Sequence, residues 1–439
     1  MKSSVSRLFL LVGDLLAVFL SLSIAYETRV FFDDYFVLDI DGSLWMYTGN
    51  ITIYTIIMIV FFYEGIYKHR YDFWEETRLV VKGVSISLVL VLSVFALNKS
   101  IDDFSRFIVV LSFMLMLVLI PTLKIILKPF LFKIGLWRRN AEILGDSTYI
   151  KEEIFDDKYL GYIHTDDCHA QTIFVDTHGV SIDEIENRLA ISLKEKKEVL
   201  FMPLLQSYNF ANARVIELTN TRKNLIVLEN SLLKKSNIFI KNTSDIFLSI
   251  LIFPLLVALF VFIVFLMKKE EPKGSIFFRQ KRMGLNGREF TCYKFRSMYE
   301  NGDEILEKYL QDNPNEVANY EKYHKYNSDP RITRVGRILR KTSLDELPQI
   351  INVFRGEMSL IGPRPYMLNE KKKIAERVDM VLAVKPGVTG LWQVSGRSDV
   401  DFHSRVDMDV WYTRNWNLWL DIVILVKTIK VVLFRDGAH

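Results

Sequence analysis

The stretch IFLSILIFPLLVALFVFIVFLM, Ile246 to Met267, is long and apolar enough to cross a bilayer, and Pro254 sits inside it. Its reading decides on which side of a membrane the rest of the chain lies. A full crossing would carry everything after Met267 to the opposite face. Two features argue otherwise. Lys234, Lys235 and Lys241 precede the stretch and Lys268, Lys269 and Lys273 follow it, and basic flanks mark the cytoplasmic side. Pro254 also lacks a backbone N–H and kinks a helix that contains it. A Pro-broken, re-entrant helix over 246–267 satisfies both observations; a Pro-kinked spanning helix is the alternative.

Toward the N-terminus, four more stretches have spanning length: Leu8–Tyr26, Ile51–Tyr67, Val80–Leu97 and Phe107–Leu127. The first could be taken for a signal peptide, but it has no small-x-small cleavage site and further spans follow it. The connection Asp33–Asp41 is acidic and has no Lys or Arg. The next carries Lys68, Arg70, Arg78 and Lys82, and Lys128, Lys133, Arg138 and Arg139 follow the fourth span. That asymmetry predicts a four-helix transmembrane domain over 1–128, with the N-terminus and everything after Leu127 in the cytoplasm.

Residues 129–240 read as a cytosolic, Rossmann-like α/β unit. Apolar runs at Ala141–Leu144, Thr172–Val175, Glu198–Met202 and Leu225–Leu228 alternate with charged helical stretches such as Ile182–Lys196. The first run leads into Gly145-Asp146-Ser147, one glycine where a dinucleotide site needs Gly-x-Gly-x-x-Gly. A scaffolding or regulatory role suits this unit better than cofactor binding.

Composition agrees with a membrane α/β protein. Of 439 residues, 50% are hydrophobic and 25% charged, a mixture of apolar spans and charged soluble parts. A net charge of +4 gives no argument for nucleic acid. Cys168 and Cys292 are the only cysteines, too few and too far apart for a disulfide framework or a zinc site.

The chemistry concentrates in 241–439, which reads as an α+β catalytic domain. Its centre is RILRKTSLDELPQ, Arg337 to Gln349. Ser343 followed by Glu346 has the form of a capping box, predicting a helix from there to about Phe354. Acids in a first helical turn are ordinary, because the helix dipole favours them. Here, however, Arg334, Arg337, Arg340 and Lys341 crowd just ahead of Asp345 and Glu346. Guanidinium forks beside a carboxylate pair are what phosphoryl transfer requires. One acid can attack while the other holds Mg²⁺, and the cations offset the repulsion between carboxylate and diphosphate.

Three further clusters suit the same site. Phe277–Arg282, a turn at Gly284 and Asn286-Gly287, and Tyr293–Met298 predict a hairpin whose second strand puts Lys294 and Arg296 on one face. Gly362-Pro363-Arg364-Pro365 holds an arginine on a stiff backbone, apt for a phosphate or nucleotide contact. The turn-rich loop Lys385–Arg397 adds Gln393 and Arg397 as candidate substrate contacts. Beyond it, Trp411–Phe434 reads either as interfacial helices, with Trp411, Tyr412, Trp416 and Trp419 at headgroup depth, or as core.

Together and in this order, the landmarks resemble the bacterial sugar transferase family, the monotopic phosphoglycosyl transferases, over Lys241 to about Phe434. They are the Pro-containing apolar helix, Phe278-Arg279-Gln280, Tyr293–Met298, Ser343–Gln349, Gly362–Pro365, Pro386–Gly390 and Asn415–Asp421. Four spans and an α/β unit ahead of them resemble the larger members, the polyprenyl-phosphate hexose-1-phosphate transferases. The resemblance implies attack of Asp345 on the β-phosphate of a UDP-sugar, release of UMP, and transfer of the phosphosugar to polyprenyl phosphate. It gives Mg²⁺ to Glu346, the lipid phosphate to Arg340, the nucleotide to Arg364 and the diphosphate site to Lys294. It also implies a homodimer in the bacterial inner membrane that initiates a surface polysaccharide. The chain departs from the family in its glycine-poor α/β unit and in Phe253, where a small residue such as Ser is frequent before the proline. A membrane nucleotide-sugar dehydratase would need a complete Gly-rich loop and a Tyr-x-x-x-Lys pair, both missing here. A non-catalytic assembly scaffold is the other alternative.

Overall fold

The computed structural model describes residues 2–36, 42–98, 104–145, 150–165, 170–176, 180–195, 198–202, 213–218, 223–227, 231–313, 329–395 and 401–434. The chain divides into two compact units, Met1–Gln206 and Ser207–His439.

The first unit opens with helices α1 (Lys2–Phe31), α2 (Ile51–Tyr63), α3 (Phe73–Leu97) and α4 (Arg106–Lys133). Each runs past or stops short of its apolar window for a local reason. Asp72 caps α3 by accepting the N–H groups of Trp74 and Glu75, so the helix starts seven residues before Val80. The chain after α2 turns at Gly65, whose φ is +74°. The four helices bury Val18, Leu22, Ile57, Phe61, Val84 and Phe113 against one another. They turn Leu8, Phe9, Val12, Val89 and Val118 outward, as helices embedded in lipid must. With the Lys235–Glu270 helix of the second unit, five stretches in the described residues are long and apolar enough to cross a membrane. The protein is a membrane α/β protein.

Charge is buried inside this bundle. Lys124 on α4 lies 3.1 Å from Asp14 of α1 and 3.1 Å from Glu76 of α3. Lys128 pairs with the other oxygen of Glu76. Tyr67 donates to Asp14 at 2.6 Å and Tyr159 to Glu76 at 2.6 Å. All four charged side chains are essentially without solvent contact, so each is tolerable only with its partners in place.

After α4 comes a parallel sheet of β1 (Arg139–Leu144), β2 (Tyr162–His164), β3 (Thr172–Asp176) and β4 (Glu198–Met202), in the order β2-β1-β3-β4, with α5 (Ile182–Lys194) between the last two. The α/β reading holds for these strands. Of the run at Leu225–Leu228, the described Leu225, Ile226 and Val227 pair elsewhere: β5 (Arg214–Leu218) and β6 (Lys223–Val227) form a separate antiparallel pair, since close neighbours in sequence pair antiparallel and a parallel strand needs a crossover.

In the second unit, α6 (Lys235–Glu270) is one helix of 36 residues. The break expected at Pro254 does not interrupt it; proline removes one hydrogen bond and the neighbouring turns persist. The antiparallel hairpin β7 (Phe277–Met283) and β8 (Glu289–Phe295) follows, in register from Phe277 opposite Phe295 to Met283 opposite Glu289. Asn286 and Gly287 make its turn with φ of +54° and +75°. Next come α7 (Arg334–Thr342), a 3₁₀ turn over Leu344–Gln349 and a short helix, Ile350–Phe354. Two short parallel strands, β9 (Ser359–Ile361) and β10 (Gly387–Thr389), precede α8 (Phe402–Asn415) and α9 (Leu418–Phe434). Phe290, Val353, Leu360, Tyr412, Trp416 and Ile424 form the core beneath them. Tyr412 and Trp416 are therefore interior residues, not headgroup anchors; both donate to the buried carboxylate of Asp421, at 2.7 and 3.0 Å.

Candidate active site

The site is built where α7 ends. Its first turn is held by Thr333, which accepts the Gly336 N–H, and by Glu270, which accepts the N–H groups of Arg334 and Val335 at 2.7 and 2.9 Å. Gly336 lets the helix lie directly on the chain after β8: a Cβ there would sit 2.1 Å from the Ser297 carbonyl. That contact brings Arg340, one turn on, to Ser297, whose hydroxyl accepts its Nε–H at 2.8 Å.

The expected capping box is absent. Ser343 closes α7 instead of opening the next helix: its φ is +56°, and its N–H goes back to Arg340 and Leu339. A left-handed residue reverses the chain, so Asp345 and Glu346 emerge on the tight turn Leu344–Gln349 rather than on an α-helix. Asn352 fixes that turn to β8. Its amide donates to the Thr291 carbonyl at 2.8 Å and accepts the Tyr293 N–H at 3.3 Å.

Two residues on from Cys292, Lys294 reaches over both acids. Its Nζ is 2.5 Å from Glu346 Oε1 and 3.9 Å from Asp345 Oδ2. The carboxylates outweigh its burial and raise its pKa. Asp345 is only 17% exposed. Burial first, and then the Glu346 charge, push its carboxyl up to about 6 against the pull of Lys294 and Arg340. So the pair is asymmetric: Glu346 is firmly paired, and Asp345 is the looser acid, its pKa raised. At neutral pH it is ionised, with the nucleophilicity that a raised pKa confers.

Of the other residues singled out by sequence, Arg337 is exposed on α7, one turn before Arg340. Arg364 lies in a neighbouring group. Its backbone N–H donates to Asp409 at 3.1 Å, and its guanidinium stands 3.9 Å from Glu370 and 5.7 Å from the Trp392 ring. Arg282 joins the two groups, its charge felt by Arg364 on one side and by Glu346 on the other. Gln393 lies on the short helix Leu391–Val394 beside Trp392; Arg397 lies outside the described residues. Arg296 is not brought to the acids. β8 ends at Phe295, so the alternation that paired it with Lys294 stops there, and Glu271 and Glu300 hold its guanidinium at 2.7 and 3.2 Å.

Sequence reading passed over Ser297, Arg282 and Asp409. Asp409 is fully buried among Val406, Val410 and Thr413, an acid on the inner stripe of α8, and that placement was the available signal. It also accepts the Tyr366 hydroxyl at 2.8 Å, and burial pushes its pKa up to about 7. Asp409→Ala leaves two donors without their acceptor, which should cost about 2 kcal/mol and raise the donor KM by loosening Arg364. Asp409→Asn keeps an acceptor oxygen and should lose less on both counts. Thermal melts and initial rates measure the two effects.

The acidic pair also bears on metal binding. Among the described residues no group of three His, Cys, Asp or Glu side chains could enclose a metal ion. Mg²⁺ needs no such cage when substrate phosphates complete its shell, since one or two carboxylates then suffice. Hard oxygen donors at Glu346 and Asp345 fit that kind of site.

Comparison with known proteins follows the same boundaries. A family model described as "Bacterial sugar transferase" matches residues 236–435, which hold every residue of the site. The undecaprenyl-phosphate galactose phosphotransferase of Salmonella typhimurium is 36% identical over 85% of this chain and 84% of its own length.

The chain belongs to the bacterial sugar transferase family.

The UDP-galactose-lipid carrier transferase of Erwinia amylovora is 35% identical over 85% of the chain and 84% of its own length. The exopolysaccharide production protein ExoY of Sinorhizobium fredii is 43% identical over 45% of the chain and 88% of its own length. This sugar transferase is a membrane phosphoglycosyl transferase of polysaccharide biosynthesis. Neither the scaffold nor the dehydratase reading survives that assignment. The transferase combines in one acidic turn a cation-bound carboxylate and a basic, half-free one, flanked by arginines: an arrangement for displacement at phosphorus.

Proposed function

We propose that the enzyme transfers a sugar-1-phosphate from a UDP-sugar to polyprenyl phosphate in two displacements through Asp345. The observation that carries this reading is the unequal pairing of Lys294, 2.5 Å from Glu346 and 3.9 Å from Asp345. An Asp345 oxygen attacks the β-phosphorus, the bond to UMP breaks, and a phosphosugar remains on the carboxylate. A polyprenyl phosphate oxygen then attacks the same phosphorus and expels Asp345, giving polyprenyl-diphospho-sugar. Arg340, positioned by Ser297, and Arg337 receive the lipid phosphate; Arg364 receives the nucleotide. Mg²⁺ bound at Glu346 would supply charge neutralisation on the diphosphate. Two relatives are named for galactose, which makes UDP-galactose the first donor to test, with a homodimer and the start of a surface polysaccharide as the setting.

The experiment incubates purified protein with Mg²⁺ and UDP-galactose, UDP-glucose or an N-acetylated UDP-hexose, without lipid acceptor, and follows intact mass. A phosphosugar mass gain accompanied by UMP is expected. Neither UMP nor a mass gain until polyprenyl phosphate is added would replace the covalent route by direct transfer.

On this reading the N-terminal helices form four spans, α6 is re-entrant, and the chemistry faces the cytoplasm at the inner membrane. Support for re-entry comes from both ends of α6. Near its start, Lys241 pairs with Asp421 at 3.0 Å and Asp245 accepts the Ser359 hydroxyl at 2.6 Å. At its end, Glu270 caps α7. Both ends are thus bonded to one α+β body, which a bilayer between them would forbid. With Pro254 as the bend, Pro254→Leu should straighten the helix and lower activity several-fold. Membrane-impermeant labelling of cysteines placed at 235 and 273 would report it: both protected in the native topology, one accessible from outside in the variant.

A further inference from the structure

A second cationic site lies in the first unit, at the end of the bundle where α1 begins and α4 stops. Arg7 of α1, Lys68, His69 and Arg70 after α2, Lys128 of α4 and Arg139 of β1 line a narrow cleft, with Tyr67 and Trp137 among its walls. No carboxylate lines the cleft.

Acids just outside neutralise only part of this charge. Glu76 takes Lys128; Glu198 takes His69 at 3.5 Å and Arg139 at 3.0 Å. Arg7, Lys68 and Arg70 have no carboxylate within ion-pair distance among the described residues. Arg70 is also locked in place. Its Nη1 donates to the carbonyls of Trp137, Leu160 and Gly161 at 3.0, 2.7 and 3.1 Å, and its guanidinium lies 4.0 Å above the Trp137 ring. Burial, reinforced by Arg139 and Arg7, lowers its pKa to about 10, so it stays charged at neutral pH. Arg139 Nε is buried with no hydrogen-bond partner. Basic residues that merely mark a membrane face would extend into solvent. Here one guanidinium is immobilised with its like-charged neighbours, and a buried donor is left unmet. A dianion in the cleft would relieve both costs.

We propose that this cleft binds a phosphate ester, a mono- or diphosphate carried by a membrane lipid headgroup or by a soluble molecule. Guanidinium forks and three uncompensated cations match a group of two negative charges and several acceptor oxygens. Its place at the end of the spans puts a headgroup within reach. None of the residues around Asp345 takes part, so the site is additional to the catalytic one.

Arg7→Gln combined with Lys68→Gln tests it in the full chain. Both side chains are exposed and make no hydrogen bond or ion pair among the described residues, so folding and turnover of donor are expected to stay as in wild type. One arm counts phosphatidic acid, a phosphomonoester lipid, retained by native mass spectrometry from nanodiscs of phosphatidylcholine with and without that lipid. The other titrates inorganic pyrophosphate against thermal stability in detergent. Affinity for at least one probe should fall about tenfold or more in the double variant. A fall for phosphatidic acid alone assigns a lipid, and a fall for pyrophosphate alone a soluble ester. Equal binding of both probes by the two proteins, or saturable binding of neither, overturns the proposal.

Discussion

Asp345→Asn should end transfer and make the protein more stable. Loss of the attacking oxygen removes the first displacement, so turnover and adduct should both fall by roughly four orders of magnitude or more, as when other nucleophiles are deleted. The stability gain follows from the carboxyl held at about 6. A folded pKa above the unfolded 3.8 means that the native state favours the protonated acid. Stability from this group is therefore complete below about pH 4, declines as pH rises through about 6, and is absent above that. A shift of about two units corresponds to an upper figure of roughly 3 kcal/mol, and residual solvent lowers it toward 2. In metal-free buffer the variant should melt later than wild type at pH 8 and together with it at pH 4. Equal melting at both values would mean that Asp345 sits in no strained ionised state.

Lys294→Met should cost about a hundredfold to a thousandfold in adduct formation, the range for loss of one preorganised charge at a phosphoryl site. The distinctive effect is on pH. Lys294 holds the Asp345 carboxyl down, so without it that pKa rises, and the acid limb of the adduct rate moves to higher pH. Lys294→Arg, which restores charge, should return the limb toward its wild-type position. A variant whose rate falls while its limb stays fixed would reduce Lys294 to a packing residue.

Much of this was legible in the primary structure, for reasons that also explain what was not. The apolar helices, the parallel strands and the β7–β8 hairpin follow from patterns confined to a few neighbouring residues. So does the basic cluster on α7, because Arg337 and Arg340 lie one turn apart in any helix. Ser343 was misread because its pattern suits a helix start, whereas in the fold it is left-handed and its N–H closes α7 on Arg340 and Leu339. Arg296 was misassigned because alternation holds only while a strand lasts. Tyr412 and Trp416 look like interfacial aromatics until Asp421, on the next helix, turns out to be their buried acceptor. Such long-range partners leave no local periodicity.

The buried charges of the four-helix bundle also constrain how the protein enters the membrane. Asp14, Glu76 and the two lysines of α4 lie on three different apolar helices. A span released alone into lipid would carry its charge uncompensated, at about 3 kcal/mol per group near the bilayer centre. α4 leaves the ribosome last of the four and bears two such groups. Its passage from the insertion machinery into lipid is favourable only once α1 and α3 stand ready to receive Lys124 and Lys128. The N-terminal apolar helices are thus a single insertion unit, and α4 completes it.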